Sequence, residues 1–165
     1  MDRDQLKAMQ APVKQKYLTD PASALVTLRA AGTLGENATC SVATNRALVT
    51  AGLHPAAGGA DLTACSGDML LQALVACTGV TVGVVATALG IELRGGAVTA
   101  EGDIDFRGTL GVTKDVPVGF KQIRLQISLD TDADSTQREK LLGLTERYCV
   151  VYQTLLNGSE IKMVL

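Results

Sequence analysis

Several residue types are scarce in this chain, and each shortage narrows what it can be. There is no tryptophan, and aromatic residues make up only 3% of the 165 positions, so alanine, valine and leucine must fill the interior. Scarce rings leave few platforms for stacking bases, no cluster of lysine and arginine appears, and the net charge is -2; nucleic acid is therefore not the expected partner. His54 is the single histidine, and the four cysteines form neither a C-x-x-C nor a histidine-spaced pair, so no metal is expected. The opening stretch MDRDQLKAMQAPVKQKYLTDP lacks an apolar signal core, and the expected setting is a reducing cytoplasm. There, Cys40, Cys65, Cys77 and Cys149 are more often catalytic, metal-binding or merely buried than permanently disulfide-bonded.

What is present suits one folded domain over residues 1–165, with 1–20 as a helical extension. Apolar residues are 47% of the chain, which excludes disorder and allows a sizeable core. A polar helix is read from Asp4 to Tyr17, stopped near TDP because Pro21 biases Asp20 away from helix. Short strands follow at SALVTLRA, ATCSVAT and RALVT, divided by Gly and Asn turn signals, and GLHPAAGGADLTAC reads as a loop. After Gly90 the period becomes two. Val98, Ala100, Ile104 and Phe106 alternate with Thr99, Glu101, Asp103, Asp105 and Arg107; Ile123, Leu125, Ile127 and Leu129 alternate with Arg124, Gln126 and Ser128. Two half-buried antiparallel strands joined by a longer loop are expected. The period then returns to 3.6, with Leu141, Leu144, Tyr148, Cys149, Tyr152 and Leu155 on one helical face. An Asn157-Gly158 turn and a final strand close the chain. This order predicts an α+β fold, with helices packed on curved antiparallel sheet.

The most unusual stretch is SGDMLLQALVACTGVTVGVVATALG, residues 66–90, which carries no charge between Asp68 and Glu92. Ser66 is a candidate N-cap, and Asp68 in the first turn suits the helix dipole. The run is long enough to span a bilayer. It also contains Gln72, Thr78, Thr81 and Thr87, has no close basic flanks and no interfacial Trp or Tyr, and sits among strands patterned like soluble sheet. No membrane is expected; a buried central helix is. A domain this small rarely wraps such a helix alone, so a second subunit is expected over part of it, approached through Ala73, Ala76, Gly79, Gly83 and Ala86. An intertwined homodimer is the expectation. Cys77 sits midway along this helix, and taken alone it reads as a small core hydrophobe.

GDMLLQALVACTGVTV, followed by strands and then ERYCVVYQTLL, resembles the OsmC/Ohr superfamily of thiol peroxidases, over a span from about Gly58 to the end of the chain. LLQALVACT is similar to the ELLLAALxxCT run of its OsmC-like branch. The resemblance implies that Cys77 attacks the peroxide and Cys149 resolves the product, with an external dithiol as reductant and no cofactor. Apolar walls at Cys77 would favour organic hydroperoxides over hydrogen peroxide, since burying an alkyl tail gains about 25 cal/mol per Å². The chain departs from the family pattern in three places. Val150 follows Cys149 where many relatives have proline. Gly67 stands where a glutamate precedes the attacking cysteine by ten residues; Asp68 is one step later and, nine residues from Cys77, about 900° round the helix and hence opposite it. The family arginine comes from the N-terminal strands, where Arg29 and Arg46 are candidates out of register. His54, Arg107 and Arg147 are further candidate cations, and each also reads as an ordinary surface charge. A cation matters, because thiolate rather than thiol attacks peroxide and a mid-helix apolar site disfavours the charged form. The rival reading is a non-enzymatic, dimeric small-molecule-binding or structural protein of the same fold, with its cysteines packed in the core.

Overall fold

The computed structural model describes residues 2–20, 32–35, 39–43, 48–59 and 63–165, and the chain divides into two compact units. Several elements run from one unit into the other, so each unit is taken by itself.

The first unit takes in helix α1 (Arg3–Thr19), Ala73–Thr99 and Gln126–Leu165. α1 starts at a reciprocal cap: the Gln5 backbone N–H donates to the Asp2 carboxylate and the Asp2 N–H to the Gln5 side-chain oxygen. Most of helix α2 (Ser66–Leu89) belongs here. Its 24 residues are long and apolar enough to cross a membrane by length and composition. Within the chain it buries one stripe, Leu74, Thr78, Val82, Val85 and Ala86, spaced at three and four residues. Of the residues through which a second subunit was expected, Ala73, Ala76 and Gly79 are exposed and Gly83 is half-buried, whereas Ala86 is buried within the chain against Val85 and Leu141; Val80 is exposed beside them. Helix α4 (Ser135–Tyr148) opens with a capping box between Asp134 and Gln137, and helix α5 (Val150–Asn157) follows. Val85, Ala86 and Leu141 form the core, with Leu89, Ile91, Leu93, Leu129 and Leu144 packed against them.

The second unit holds a four-stranded sheet in the order β1 (Gly32–Gly35), β2 (Thr39–Ala43), β3 (Leu48–Gly52), β4 (Ala64–Cys65). β1–β2 and β2–β3 are antiparallel and β3–β4 parallel; Cys40 faces Leu34 and Ala51 in register. A single 3₁₀ turn at Pro55–Ala57 lies between β3 and β4. The strand read at SALVTLRA lies outside the described residues.

Strands β5 (Gly95–Ile104) and β6 (Phe120–Asp130) pair as a two-stranded sheet. Their direction is antiparallel, because Gly96 lies against Ser128 and Leu129 whereas Gly102 lies against Phe120. Val98, Ala100 and Ile104 alternate half-buried with exposed neighbours, and Ile123, Leu125, Ile127 and Leu129 are half-buried in β6.

Three expectations are corrected. Phe106 is not in the strand. The Asp105 carboxylate accepts the Arg107 N–H and caps a short helix, α3 (Phe106–Thr109), which ends the alternation. The C-terminal helical face is not continuous. Cys149 has φ -74° and ψ 107°, an extended backbone that ends α4 and begins α5, so Tyr148 and Leu155 are exposed while Cys149 is buried. The last stretch is not a strand: after Gly158, at φ 69°, residues 159–165 have no regular structure and are exposed, because strand backbone needs a partner and none among the described residues pairs with it.

Candidate functional site

Two independent backbone features bring the sulfurs of the first unit together. Helix α2 buries Thr78 at 1% exposure and leaves Cys77, one residue earlier, half-buried. The α4–α5 junction supplies Cys149 at 1% exposure. Its N–H still completes the last helical turn by donating to the Thr145 carbonyl at 2.9 Å, and its own carbonyl accepts the Gln153 N–H at 2.9 Å. The kink therefore costs no backbone hydrogen bond at Cys149, and it turns the sulfur toward α2. Thr78 Oγ1 and Cys149 Sγ are 3.5 Å apart, a buried hydroxyl–sulfur hydrogen bond bridging residues from the two halves of the chain.

Burial pushes the Cys149 thiol up, since the thiolate loses water. The Thr78 hydroxyl acts the other way, with the Tyr152 backbone N–H and Cys77 adding to it, and Cys149 is left below the usual thiol value; the Thr81 hydroxyl is already engaged, donating to the Cys77 carbonyl at 2.7 Å. The Tyr152 N–H belongs to the first turn of α5, where the helix dipole also favours negative charge, although the sulfur closes no full capping hydrogen bond there. Cys77 and Cys149 are thus neighbours, both are free thiols, and Cys149 is poised toward thiolate by neutral donors alone.

The other sequence candidates are placed elsewhere or lie outside the described residues. Arg29 and Arg46 fall among the latter. Asp68 is exposed in the first turn of α2, half a helical circumference from Cys77. His54 belongs to the second unit: its Nδ1 accepts the Ala56 N–H at 3.0 Å to cap the 3₁₀ turn, and its ring stacks on Phe106 at 5.0 Å. Arg107 is paired with Asp105 at 2.6 Å, and the Arg147 guanidinium lies 5.6 Å from the centre of the Tyr148 ring. Arg94 joins Asp130 and Asp132, and Arg124 joins Glu101 and Asp103. Among the described residues, no arginine, lysine or histidine makes a hydrogen bond or ion pair with either sulfur. Nor does any group of three His, Cys, Asp or Glu side chains among them come together to hold a metal. Gly67, at the position of the family glutamate, faces Cys65, Phe120 and Ile104, and an added Cβ would meet them at 3.5–3.6 Å.

Sequence reasoning did not single out Thr78, which meets the Cys149 sulfur, or Thr81, whose hydroxyl donates to the Cys77 carbonyl at 2.7 Å. They follow Cys77 by one and four residues in ACTGVTV, a spacing that sets them on adjoining faces of the same helix. Nothing in the sequence says which of them meets a sulfur from the other end of the chain.

An arrangement of this kind, with one cysteine on a central helix and its neighbour on a C-terminal helix junction, can be compared with known proteins. The family model described as OsmC-like protein matches residues 58–164. The chain belongs to the OsmC-like family. Solved structures agree on the fold. An OsmC-like protein from Mycoplasma pneumoniae superposes with a TM-score of 0.68 at 18% identity, covering 83% of this chain and 92% of that one. An organic hydroperoxide resistance protein OsmC from Legionella pneumophila gives 0.62 at 17%, covering 79% and 90%. The organic hydroperoxide resistance protein OhrB of Bacillus subtilis gives 0.56 at 14%, covering 83% and 96%. No curated protein matches the sequence. The OsmC-like fold expected from the sequence is thereby shown.

Proposed function

We propose that this OsmC-like chain is a thiol-dependent peroxidase acting on organic hydroperoxides. The observation that carries the reading is the meeting of Cys77 and Cys149 in one core, with Thr78 on the second sulfur. The names of two structural relatives, both organic hydroperoxide resistance proteins, point the same way.

In this reading the Cys77 thiolate attacks one peroxide oxygen, the O–O bond breaks, and the alkoxide leaves as alcohol after taking a proton. Cys77 is then a sulfenic acid. The Cys149 thiolate attacks its sulfur, hydroxide leaves as water, and a Cys77–Cys149 disulfide results. An external dithiol supplies two electrons and two protons to restore both thiols. The cation that would ionise Cys77 is taken, on the family resemblance alone, to come from Arg29 or Arg46, which lie outside the described residues. Neither a cofactor nor a metal enters these steps. A reducing cytoplasm suits the cycle, and the exposed small residues Ala73, Ala76 and Gly79 suit docking of a second copy along α2.

The rival reading, inert thiols in a binding or structural protein, draws on Gly67 at the glutamate position. The two separate in one assay: cumene hydroperoxide consumption with dithiothreitol as reductant, comparing wild type with Cys77→Ser. Turnover lost in the variant supports the peroxidase. Equal, background-level consumption by both proteins would leave only the fold.

A further inference from the structure

The two sulfurs differ in exposure and in what receives them. Cys77 is half-buried, whereas Cys149 is 1% exposed and has the buried Thr78 hydroxyl at 3.5 Å. Thiol–disulfide exchange is directional: the incoming thiolate approaches along the S–S axis, from behind the sulfur it attacks, and the far sulfur departs. Approach behind Cys149 is blocked by its own burial. An open depression of about 380 Å³ bordered by Arg147, Tyr148, Val150 and Gln153 also touches Cys149, but at 1% exposure the residue is not reachable from it. Cys77 is the less buried of the two, and approach there pushes the departing sulfur inward onto the Thr78 hydroxyl.

We propose that Thr78 fixes how the Cys77–Cys149 disulfide is reopened: an external dithiol attacks Cys77, and Cys149 departs into the Thr78 hydroxyl. The proposal rests on the disulfide chemistry above and adds its direction. One dithiol sulfur, as thiolate, bonds to Cys77 as the S–S bond breaks, and Cys149 takes the electron pair as thiolate. The second dithiol sulfur then displaces Cys77, leaving a cyclic disulfide; the protons released by the dithiol end on the two cysteines. As Cys149 departs as thiolate it can only accept, and the Thr78 hydroxyl donates to it, with the Tyr152 N–H nearby.

The test starts from full-length protein oxidised with diamide, so that its outcome does not depend on hydroperoxide being the natural oxidant. Brief exposure to glutathione, a quench with N-ethylmaleimide and peptide mass mapping show which sulfur was attacked. Glutathione on Cys77 with maleimide on Cys149 is expected. The reverse placement, an even split, or no Cys77–Cys149 disulfide after diamide would overturn the proposal. Opening by dithiothreitol gives a second readout. Thr78→Val should slow it about five- to tenfold through loss of a hydrogen bond to a leaving sulfur that carries only part of its charge in the transition state, and Thr78→Ser should restore it to within about twofold. Equal rates in wild type and Thr78→Val, or a Thr78→Ser as slow as Thr78→Val, would overturn it too. A protein inert to hydroperoxide that nonetheless opens at Cys77 would defeat the peroxidase reading and leave this one standing.

Discussion

Leu141→Ala should loosen the clamp that holds α4 against α2. Leu141 is 0% exposed and is packed with Val85, Ala86 and the half-buried Leu89, Ile91, Leu93, Leu129 and Leu144. Truncation removes three methylene equivalents, about 2.4 kcal/mol of transfer free energy at roughly 0.8 kcal/mol each. The residual cavity adds to this, because neighbours close over it only in part, so a total of about 3–4 kcal/mol is expected. For a chain of this size that corresponds to a midpoint about 10 °C lower. Leu142 is the internal control: one residue on, 40% exposed and turned about 100° away, its truncation should cost about 1 kcal/mol or less. Urea unfolding followed by far-ultraviolet circular dichroism measures both. The consequence reaches the sulfurs, since the Leu141 carbonyl accepts the Thr145 hydroxyl at 2.7 Å and the Thr145 carbonyl accepts the Cys149 N–H at 2.9 Å. Disulfide closure should therefore slow in Leu141→Ala and not in Leu142→Ala. Equal losses of stability in the two variants would show that α4 is not held through the face described.

Two glycines should respond with opposite sign. A Cβ at Gly67 would make only ordinary contacts in the first turn of α2, so Gly67→Ala should stabilise by about 0.5–1 kcal/mol, whereas at Gly102 it would meet the Phe120 ring at 2.4 Å and should destabilise by about 1–3 kcal/mol. Denaturant midpoints check both, and matching signs would contradict the packing. Asp105 is held down to about 2 by the Arg107 guanidinium beside it, against an ordinary 3.8. A depressed carboxylate lends stability that is complete above its unfolded value and fades as pH falls toward its folded one. Asp105→Asn keeps the cap but removes the charge, so its stability should fall less steeply than wild type between about pH 4 and pH 2; superimposable acid limbs would be the contrary result. Val80 is 69% exposed in the single chain, so Val80→Asp should leave the fold intact while turning a dimer into a monomer by sedimentation. A wild type already monomeric at tens of micromolar would remove the proposed second copy.

The parts of this fold that were legible are those whose period is enforced by burial on one side. β5 and β6 follow their alternation because one face of each is half-buried, and α2 follows its uncharged run. Where local chemistry interrupts a pattern, the pattern misleads. Phe106 continues the two-residue alternation, yet the Asp105 carboxylate bonds backbone and turns the chain into α3. Cys149 continues the helical face of Leu141 and Tyr152, yet it is extended; Val150 and Val151 just after it are weak helix formers, a signal too small to place a break. The alternation of Ile161, Met163 and Leu165 marks no strand within the chain, since pairing depends on a partner that sequence does not reveal. The site was half legible. Both cysteines stood out through resemblance to a family, but Thr78 became a functional candidate only through the tertiary packing that brings Cys149 to it. The family's glutamate is absent at Gly67, and Arg29 and Arg46 were only sequence candidates.

Whole-protein mass spectrometry after one equivalent of cumene hydroperoxide probes the paired sulfurs most directly. A loss of two hydrogens, mapped by proteolysis to a Cys77–Cys149 cross-link, is the expected outcome. An unchanged mass, or oxygen added at Cys77 with Cys149 still free, would mean that these neighbouring thiols do not work as a pair.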